Sequence, residues 1–152
     1  MKKVMFLCHG NICRSPMAEF IFKDMSKDLD VYTESKAVSR EEIGNPIYPP
    51  AADTLRRHNI PFGRHSARQI TRGDYEEFDY VIVMERYNMP RLLKIIGEDD
   101  KNKVCRLLDF TENPKDIEDP WYSGNFEKVF EEISRGCEGL LDKIRRENIK
   151  NL

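Results

Sequence analysis

The stretch Val4-Met5-Phe6-Leu7-Cys8-His9-Gly10-Asn11-Ile12-Cys13-Arg14-Ser15-Pro16 determines how the rest of the chain is interpreted. Its first part, the run from Lys3 to Leu7, is apolar from Val4 onward and is typical of a short strand that is covered on both faces. A tight loop follows the strand. Ser15 and Pro16 then predict the start of a helix, because serine caps helices well and proline suits the first helical position. The stretch therefore predicts a strand, a loop and a helix in direct succession.

The loop between this strand and helix opens on Cys8 and closes on Arg14, with five residues between them. Gly10 and Asn11 tolerate the left-handed backbone that lets successive N–H groups converge on one anion. The helix adds the positive end of its dipole, and Arg14 adds a fork of donors that matches two phosphate oxygens. Such a site favours the thiolate form of Cys8, which is the nucleophilic form. The loop therefore predicts covalent catalysis on a phosphate ester, although a lone cysteine after a strand is more often a small buried residue.

Composition restricts the class of protein. The chain has 152 residues, which fits one domain spanning residues 1–152. Its 25 basic and 27 acidic residues nearly balance, so we expect neither a nucleic-acid nor a membrane partner. The spacing of the four cysteines does not suggest zinc binding, and a chain of this size with helical patterning needs no disulfides. No apolar run is long enough to cross a bilayer. We expect a cytoplasmic monomer that needs no metal or other cofactor.

The remaining pattern alternates strands with helices. Strands are predicted at 31–38, 80–84 and 104–108, and helices at 51–58, 88–97 and from Phe126 along an apolar stripe that reaches Ile144. Residues 62–73 are predicted to be a basic loop, and residues 109–124 a second loop. This alternation predicts an α/β fold, a doubly wound four-stranded parallel sheet of flavodoxin-like order with helices on both faces. Ligands of such sheets bind at the carboxyl ends of the strands, where the loop after the first strand lies.

The motif Cys8-His-Gly-Asn-Ile-Cys-Arg-Ser15 resembles the signature of the low-molecular-weight protein tyrosine phosphatases. The resemblance extends over nearly the whole chain. It includes the Pro-Met-Ala-Glu segment after the loop, His-Ser-Ala-Arg-Gln at 65–69, Val-Met-x-x-x-Asn at 83–88 and the late Asp-Pro-Trp-Tyr at 119–122.

The resemblance implies a role for each residue of the site. Cys8 forms a cysteinyl-phosphate intermediate, Arg14 stabilises the transferring phosphoryl group, and Asp119 serves first as acid and then as base. Asn11, Ser15 and His65 support the loop, and Cys13 is a redox partner that shields Cys8 from irreversible oxidation. The phosphate-binding residues are His9, Gly10, Asn11, Ile12, Cys13, Arg14 and Ser15. The implied substrate is a phosphotyrosine-containing protein, and the product is inorganic phosphate.

Three residues depart from the family pattern. His9 occupies a position beside the cleft that is usually apolar, Glu85 stands where aspartate is common, and Trp121 replaces a tyrosine. We interpret His9, Trp121 and Tyr122 as residues of the substrate cleft, where aromatic side chains stack on an aryl group. For Asp119, a simple turn is the alternative, because Asp-Pro is a common turn starter. Cys105 and Cys137 lie on apolar faces and are interpreted as core residues.

Three other functions remain open from the sequence. The first is a protein-arginine phosphatase on the same scaffold, although relatives of that kind tend to have threonine where this chain has Ile12. The second is a thiol-coupled arsenate reductase, which is disfavoured because residues 79–97 contain no cysteine to relay a disulfide. The third is a catalytically inactive phosphate-binding module. The presence of Cys8, Arg14 and Asp119 together argues against it.

Overall fold

Four parallel strands form one sheet in a computed structural model that describes residues 1–150. The strands are β1 (Lys2–Cys8), β2 (Val31–Ala37), β3 (Tyr80–Val83) and β4 (Val104–Arg106). Their spatial order is β2-β1-β3-β4, and every neighbouring pair is parallel. The predicted doubly wound α/β fold is confirmed.

Six helices connect or follow the strands. They are α1 (Arg14–Met25), α2 (Pro49–Arg57), α3 (Arg72–Glu77), α4 (Met89–Ile96), α5 (Pro120–Ser123) and α6 (Phe126–Lys150). Single 3₁₀ turns precede α4 at Arg86–Asn88 and follow β4 at Leu107–Phe110. Among the helices of the described residues, none is both long enough and apolar enough to span a membrane.

The sheet separates two apolar clusters because successive strand residues point to opposite faces. Val4 and Phe6 of β1 pack with α1 and α6 on one face. Met5 and Leu7 pack on the other face against the side chains of α3 and α4. Because alternate residues of β1 enter opposite clusters, the strand is apolar on both faces from Val4 to Leu7, and helices cover the sheet on both sides.

Helix α6 approaches the 3₁₀ turn after β4 unusually closely. A Cβ atom added to Gly139 would lie 2.2 Å from the carbonyl oxygen of Phe110, and one added to Gly136 would lie 2.4 Å from Cγ of Leu107. Both distances are far below van der Waals contact. Glycine at these two positions is therefore what allows the turn to rest on the helix.

Several boundaries differ from the sequence predictions. The prediction that Ser15 caps α1 is wrong, because the helix begins at Arg14 and Cys13 occupies the cap position. Strand β4 is shorter than predicted, since its chain turns into a 3₁₀ turn at Leu107. Helix α3 was not predicted. A capping box of Thr71 and Asp74 supplies the local signal for it, because each side chain bonds the other residue's backbone N–H.

The loop predicted at 109–124 contains the one-turn helix α5, which begins directly after Asp119. Cys137 is fully buried as predicted, whereas Cys105 is only half-buried at the edge strand. The predicted apolar stripe of α6 is confirmed, and its buried members include Val129, Ile133 and Leu140.

Candidate active site

The loop after β1 surrounds the sulfur of Cys8. The Sγ atom lies 3.0 Å from Oγ of Ser15, and it accepts the backbone N–H groups of Asn11 at 3.3 Å and of Ser15 at 3.4 Å. Cys8 is only 3% exposed. Donors that converge on a sulfur atom stabilise its anionic form over the neutral thiol. The loop thus forms a nest of donors around this one atom.

The hydroxyl of Ser15 has a defined direction. Asn11 Nδ2 donates to Ser15 Oγ at 2.7 Å, so the oxygen already acts as an acceptor. The hydroxyl hydrogen then goes to Cys8 Sγ at 3.0 Å or to the carbonyl oxygen of Lys36, which is more distant at 3.5 Å. The shorter contact favours donation to the sulfur. Ser15 therefore acts on Cys8 as a donor, although it does not cap the helix.

Asn11 organises the loop through both its backbone and its side chain. Its φ of 62° is the left-handed conformation that asparagine tolerates better than most residues. His65 Nε2 donates to the Asn11 carbonyl oxygen at 2.7 Å, and the backbone N–H of Arg68 donates to Asn11 Oδ1 at 3.3 Å. The loop predicted at 62–73 is thereby fastened to the loop that follows β1.

Two further buried residues belong to this network and were missed in the sequence. Asn11 Nδ2 also donates to Ser35 Oγ at 3.0 Å, and Ser35 donates to Glu19 Oε1 at 2.6 Å. Ser35 lies on the buried face of β2, and Glu19 lies on α1 in the Met-Ala-Glu segment. An acidic residue on a buried helix face was the available signal, because such a group requires a partner.

Arg14 connects the loop to two distant segments. It is 1% exposed, its Nη1 donates to the carbonyl oxygen of Ile117 at 2.9 Å, and its Nη2 donates to Glu85 Oε1 at 3.1 Å. Burial by itself lowers the pKa of this guanidinium, but the nearby charges of Cys8, Glu85 and Asp119 raise it above its ordinary value. The arginine is therefore a permanent cation in a fixed orientation. Glu85, one of the departures from the family pattern, helps to orient it.

Asp119 lies at the start of α5 with its two carboxylate oxygens in different surroundings. Oδ1 accepts the backbone N–H of Trp121 at 3.0 Å, which makes Asp119 the N-cap of this helix. Oδ2 lies 3.5 Å from Nη2 of Arg14. The cap fixes the side-chain direction, and the second oxygen faces the region that Arg14 also faces. A carboxylate and a buried guanidinium therefore share one site.

A cleft of about 230 Å³ opens above the loop. Trp121 and Tyr122 lie on it and remain 51% and 86% exposed, so both present aromatic surface to an entering molecule. Tyr48 supports Trp121 from behind with ring centroids 4.6 Å apart. The complete lining is Cys8, His9, Gly10, Ile12, Cys13, Arg14, Glu41, Glu42, Asp119, Trp121 and Tyr122.

His9 lies at the rim of the cleft and pairs with Glu41. Nε2 of His9 is 2.9 Å from Glu41 Oε2, and since an ionised carboxylate only accepts hydrogen bonds, the imidazole donates. The partner of His9 comes from the segment after β2, more than thirty residues along the chain. Because this partner is so far away in the sequence, no local pattern accounts for a histidine at this position.

Cys13 lines the same cleft as Cys8 but has different chemistry. Burial, reinforced by the negative charges of Cys8 and Asp119, raises the pKa of the Cys13 thiol well above its usual range. Cys13 is therefore a neutral thiol at physiological pH while Cys8 is a thiolate. The loop thus contains two cysteines of which only Cys8 is surrounded by donors.

Comparisons with known proteins identify the family of this chain. The family model described as low molecular weight phosphotyrosine protein phosphatase matches residues 3–150. The chain belongs to this family. It is 41% identical to low molecular weight protein-tyrosine-phosphatase YfkJ of Bacillus subtilis, over 97% of this chain and 98% of that protein. It is 37% identical to PtpA of Staphylococcus haemolyticus over 99% of both chains.

Solved structures of low molecular weight phosphatases share the fold. The crystal structure of YfkJ from Bacillus subtilis superposes with a TM-score of 0.92, covering 97% of this chain and 96% of that one. SP-PTP from Streptococcus pyogenes, at 36% identity, superposes with a TM-score of 0.85 over 94% and 93% of the two chains. This protein is a protein tyrosine phosphatase, a phosphoric monoester hydrolase of the family that works through a cysteinyl-phosphate intermediate. The alternative of a catalytically inactive phosphate-binding module is therefore set aside.

Proposed function

We propose that Cys8, Arg14 and Asp119 together hydrolyse phosphotyrosine in protein substrates and release inorganic phosphate. The observation that carries the proposal is the 3.5 Å separation of Arg14 Nη2 from Asp119 Oδ2 above the loop that holds Cys8. Cys8 lines the same cleft, so a nucleophile, a fixed cation and an acid–base group lie together there. These are the three functions that the transfer of a phosphoryl group from an aryl ester to water requires.

In the first step, the Cys8 thiolate attacks phosphorus and the bond from phosphorus to the tyrosine oxygen breaks. Asp119, in its protonated form, gives its proton to the departing phenolate oxygen. Arg14 and the N–H groups of the loop stabilise the negative charge on the three peripheral oxygens of the phosphoryl group. The products of this step are a tyrosine side chain and a cysteinyl phosphate.

In the second step, the Asp119 carboxylate takes a proton from a water molecule as the water oxygen attacks phosphorus. The bond from sulfur to phosphorus breaks, and its electron pair returns to Cys8 as the thiolate. The hydrogen bond from Ser15 stabilises this leaving thiolate, as it stabilises the nucleophile in the first step. Inorganic phosphate then leaves the loop.

The cleft favours an aryl ester. Trp121 and Tyr122 present flat apolar surface beside the loop, and an aromatic ring gains both burial and ring contacts there. His9 lies on the rim, where it meets the substrate outside the phosphate. We further propose that the enzyme is a monomer and acts in the cytoplasm, where glutathione and thioredoxin keep a thiol such as Cys8 reduced.

Cys13 is proposed as the redox partner of Cys8. An oxidant converts the Cys8 thiolate to a sulfenic acid. Cys13 lines the same cleft as this sulfenic acid. The sulfenic acid no longer has the negative charge that raises the pKa of Cys13. The Cys13 sulfur attacks the sulfenic sulfur, the sulfenic hydroxyl leaves with the Cys13 proton as water, and cellular thiols reduce the resulting disulfide. The disulfide blocks further, irreversible oxidation of the nucleophile.

The decisive experiment compares Asp119→Asn, Cys8→Ser and the wild type on p-nitrophenyl phosphate, a phosphotyrosine peptide and a phosphoarginine peptide. Asparagine keeps the cap to Trp121 but has no proton to give. We expect the kcat of Asp119→Asn to fall about 10²- to 10⁴-fold on phosphotyrosine. The loss should be smaller on p-nitrophenyl phosphate, whose phenolate leaves more readily. Cys8→Ser should show no turnover.

Asp116→Asn is the matched control, because Asp116 lies in the same segment but bonds to Arg106 and to the backbone N–H of Arg86. Its kcat should stay close to that of the wild type. Turnover by Cys8→Ser would overturn the assignment of the nucleophile. Faster hydrolysis of phosphoarginine than of phosphotyrosine by the wild type would replace the proposed substrate.

A further inference from the structure

A second groove lies beside the catalytic cleft, between the segment that follows β2 and helix α4. Its volume is about 470 Å³, and three cationic side chains line it: Arg40, Arg91 and Lys94. The apolar side chains of Val38 and Ile95 are also part of its lining. The groove thus combines a concentrated positive charge with apolar surface.

Within the described part of the chain, the three cations have no salt-bridge partner. Among residues 1–150, no carboxylate lies within 4.0 Å of the charged group of Arg40, Arg91 or Lys94, although ion pairs are frequent elsewhere on the surface. All three side chains are exposed. Like charges that share one groove repel each other, so their proximity contributes nothing favourable to folding.

The position of two of these cations on α4 also disfavours the free protein. Arg91 and Lys94 are three residues apart, which places them on one face of the helix. Arg91 lies in the first turn, where the helix dipole disfavours a positive charge, and no acidic residue offsets it there. The arrangement costs the free protein a little free energy, and an anion placed in the groove would recover it.

The groove is continuous with the phosphate-binding loop. The backbone N–H of Val38 donates to the Cys8 carbonyl oxygen at 3.0 Å, and that of Ser39 donates to the His9 carbonyl oxygen at 3.1 Å. The segment from Val38 to Arg40, which forms one side of the groove, is therefore hydrogen-bonded to the start of the catalytic loop. A peptide whose phosphotyrosine occupies the cleft has this groove next to it.

Glu41 lies at the boundary, because it lines both the cleft and the groove. A free carboxylate at this point would repel an acidic chain that passes from one to the other. Its pairing with His9 at 2.9 Å occupies one of its oxygens and, when the imidazole is protonated, offsets its charge. His9 therefore reduces the repulsion that Glu41 would exert on an acidic chain between the cleft and the groove.

We propose that this groove docks an acidic segment that flanks the phosphotyrosine of the protein substrate. The proposal rests on the proposed function, since it concerns the substrate of the same site. Carboxylates of the segment pair with the guanidinium groups of Arg40 and Arg91 and the ammonium group of Lys94. The aliphatic parts of its side chains lie on Val38 and Ile95. The groove then selects among phosphotyrosine proteins, while the cleft performs the chemistry.

The experiment uses two phosphotyrosine peptide series that differ only in flanking residues, with Asp and Glu in one and Asn and Gln in the other. The flanking residues are placed before the phosphotyrosine, after it, or on both sides. The kcat/KM of each peptide is measured for the wild type and for the double variant Arg91→Glu/Lys94→Glu. We expect the wild type to prefer an acidic peptide about tenfold at low ionic strength, a fold-change that two surface ion pairs supply. The groove variant should lose this preference.

The double variant Arg135→Glu/Arg146→Glu is the matched control, because it makes the same change in net charge on α6, outside the groove. It should keep the preference for the acidic peptide. All three proteins should hydrolyse p-nitrophenyl phosphate at similar rates, since this substrate has no flanking chain. Raising the salt concentration to about 0.5 M should abolish the peptide preference by screening.

Equal kcat/KM on acidic and neutral peptides in the wild type would overturn the proposal. So would an equal loss of preference in the groove and control variants, which would mean that only the total charge matters. A groove variant that fails on p-nitrophenyl phosphate as strongly as on peptides would place these cations in the support of the catalytic loop, and that too would overturn it. Failure of the wild type on p-nitrophenyl phosphate would instead contradict the proposed function.

Discussion

The side-chain amide of Asn11 donates a hydrogen bond to Ser15 Oγ at 2.7 Å, and this contact turns the Ser15 hydroxyl toward the sulfur of Cys8. We expect Ser15→Ala to lower kcat about 10- to 100-fold, because a hydrogen bond to a charged group contributes about 1.5–3 kcal/mol. Steady-state kinetics on p-nitrophenyl phosphate and the rate of alkylation of Cys8 by iodoacetamide at neutral pH measure the effect.

Ser39→Ala is the control for this change, since Ser39 Oγ donates to the His9 carbonyl oxygen at 2.8 Å and does not touch the sulfur. Its kcat should fall much less than that of Ser15→Ala. If both variants alkylate as fast as the wild type, Ser15 does not stabilise the thiolate of Cys8.

The proposed redox role of Cys13 can be tested by oxidation and recovery. We expect Cys13→Ser, treated with hydrogen peroxide and then with dithiothreitol, to regain a smaller fraction of its own initial activity than the wild type does. Without Cys13, the sulfenic acid of Cys8 has no neighbouring thiol and oxidises further to forms that dithiothreitol does not reduce. Cys105→Ser, altered at a half-buried cysteine of the edge strand, should recover like the wild type. Equal recovery in all three proteins would exclude a protective disulfide.

The ion pair of Lys36 with Asp74 should make stability depend on acid pH. Nζ of Lys36 lies 2.8 Å from Asp74 Oδ2, and both side chains are largely buried. Burial alone would raise the pKa of Asp74, but the hydrogen bonds from Lys36 and Thr71 outweigh it and hold the pKa below its ordinary value. The contribution of Asp74 to stability is therefore fully present above the ordinary aspartate pKa, and it is lost as the pH falls through the lowered pKa.

Asp74→Asn should accordingly lower the free energy of unfolding by about 2 kcal/mol at pH 7, and by less at a pH below the lowered pKa. Urea unfolding of both proteins across this pH range measures the difference. Asp53→Asn, which alters an exposed pair with Arg56, should change stability by less than about 0.5 kcal/mol at either pH. A loss of stability in Asp74→Asn that does not vary with pH would contradict the role of its charge.

Gly139 should resist replacement although it lies in a helix. Alanine normally stabilises a helix interior by about 1 kcal/mol relative to glycine. Here its Cβ would meet the carbonyl oxygen of Phe110 at 2.2 Å, so we expect Gly139→Ala to destabilise the protein by about 2 kcal/mol or more. Gly73→Ala in α3 is the control, because its Cβ makes only an ordinary contact at 3.7 Å. A Gly139→Ala protein as stable as the wild type would show that the turn moves away freely.

The sequence predicted the sheet and the loop well because both depend on local pattern. An unbroken apolar run from Val4 to Leu7 has few structural alternatives, and the amphipathic stripe of α6 is long enough to be unambiguous. The loop was recognised because the donors around Cys8 lie within seven residues of it. Asp119, Trp121 and Tyr122 were located through the resemblance to the family.

The contacts that the sequence did not predict join residues far apart in the chain. Arg14 donates to the carbonyl oxygen of Ile117. Every residue has such a backbone group, so the residue type at 117 could not predict this contact. Ser35 and Glu19 complete the network of Asn11 only after β2 and α1 pack together. The error at Ser15 has a related cause. Its position suits a helix cap, but its hydroxyl instead serves the sulfur that the loop brings near.

The double attachment of Ile117 has a kinetic consequence. Ile117 lies two residues before Asp119. Its carbonyl oxygen accepts a hydrogen bond from Arg14 at 2.9 Å, and its N–H donates to the carbonyl oxygen of Met84 at 2.9 Å. Both polar groups of this buried backbone unit are thus held by the loop and by the end of β3. The segment that carries Asp119 is anchored in this way two residues before it, and we expect it not to close over each substrate. Turnover should then follow bond breaking and product departure, without a preceding closure on the microsecond to millisecond timescale.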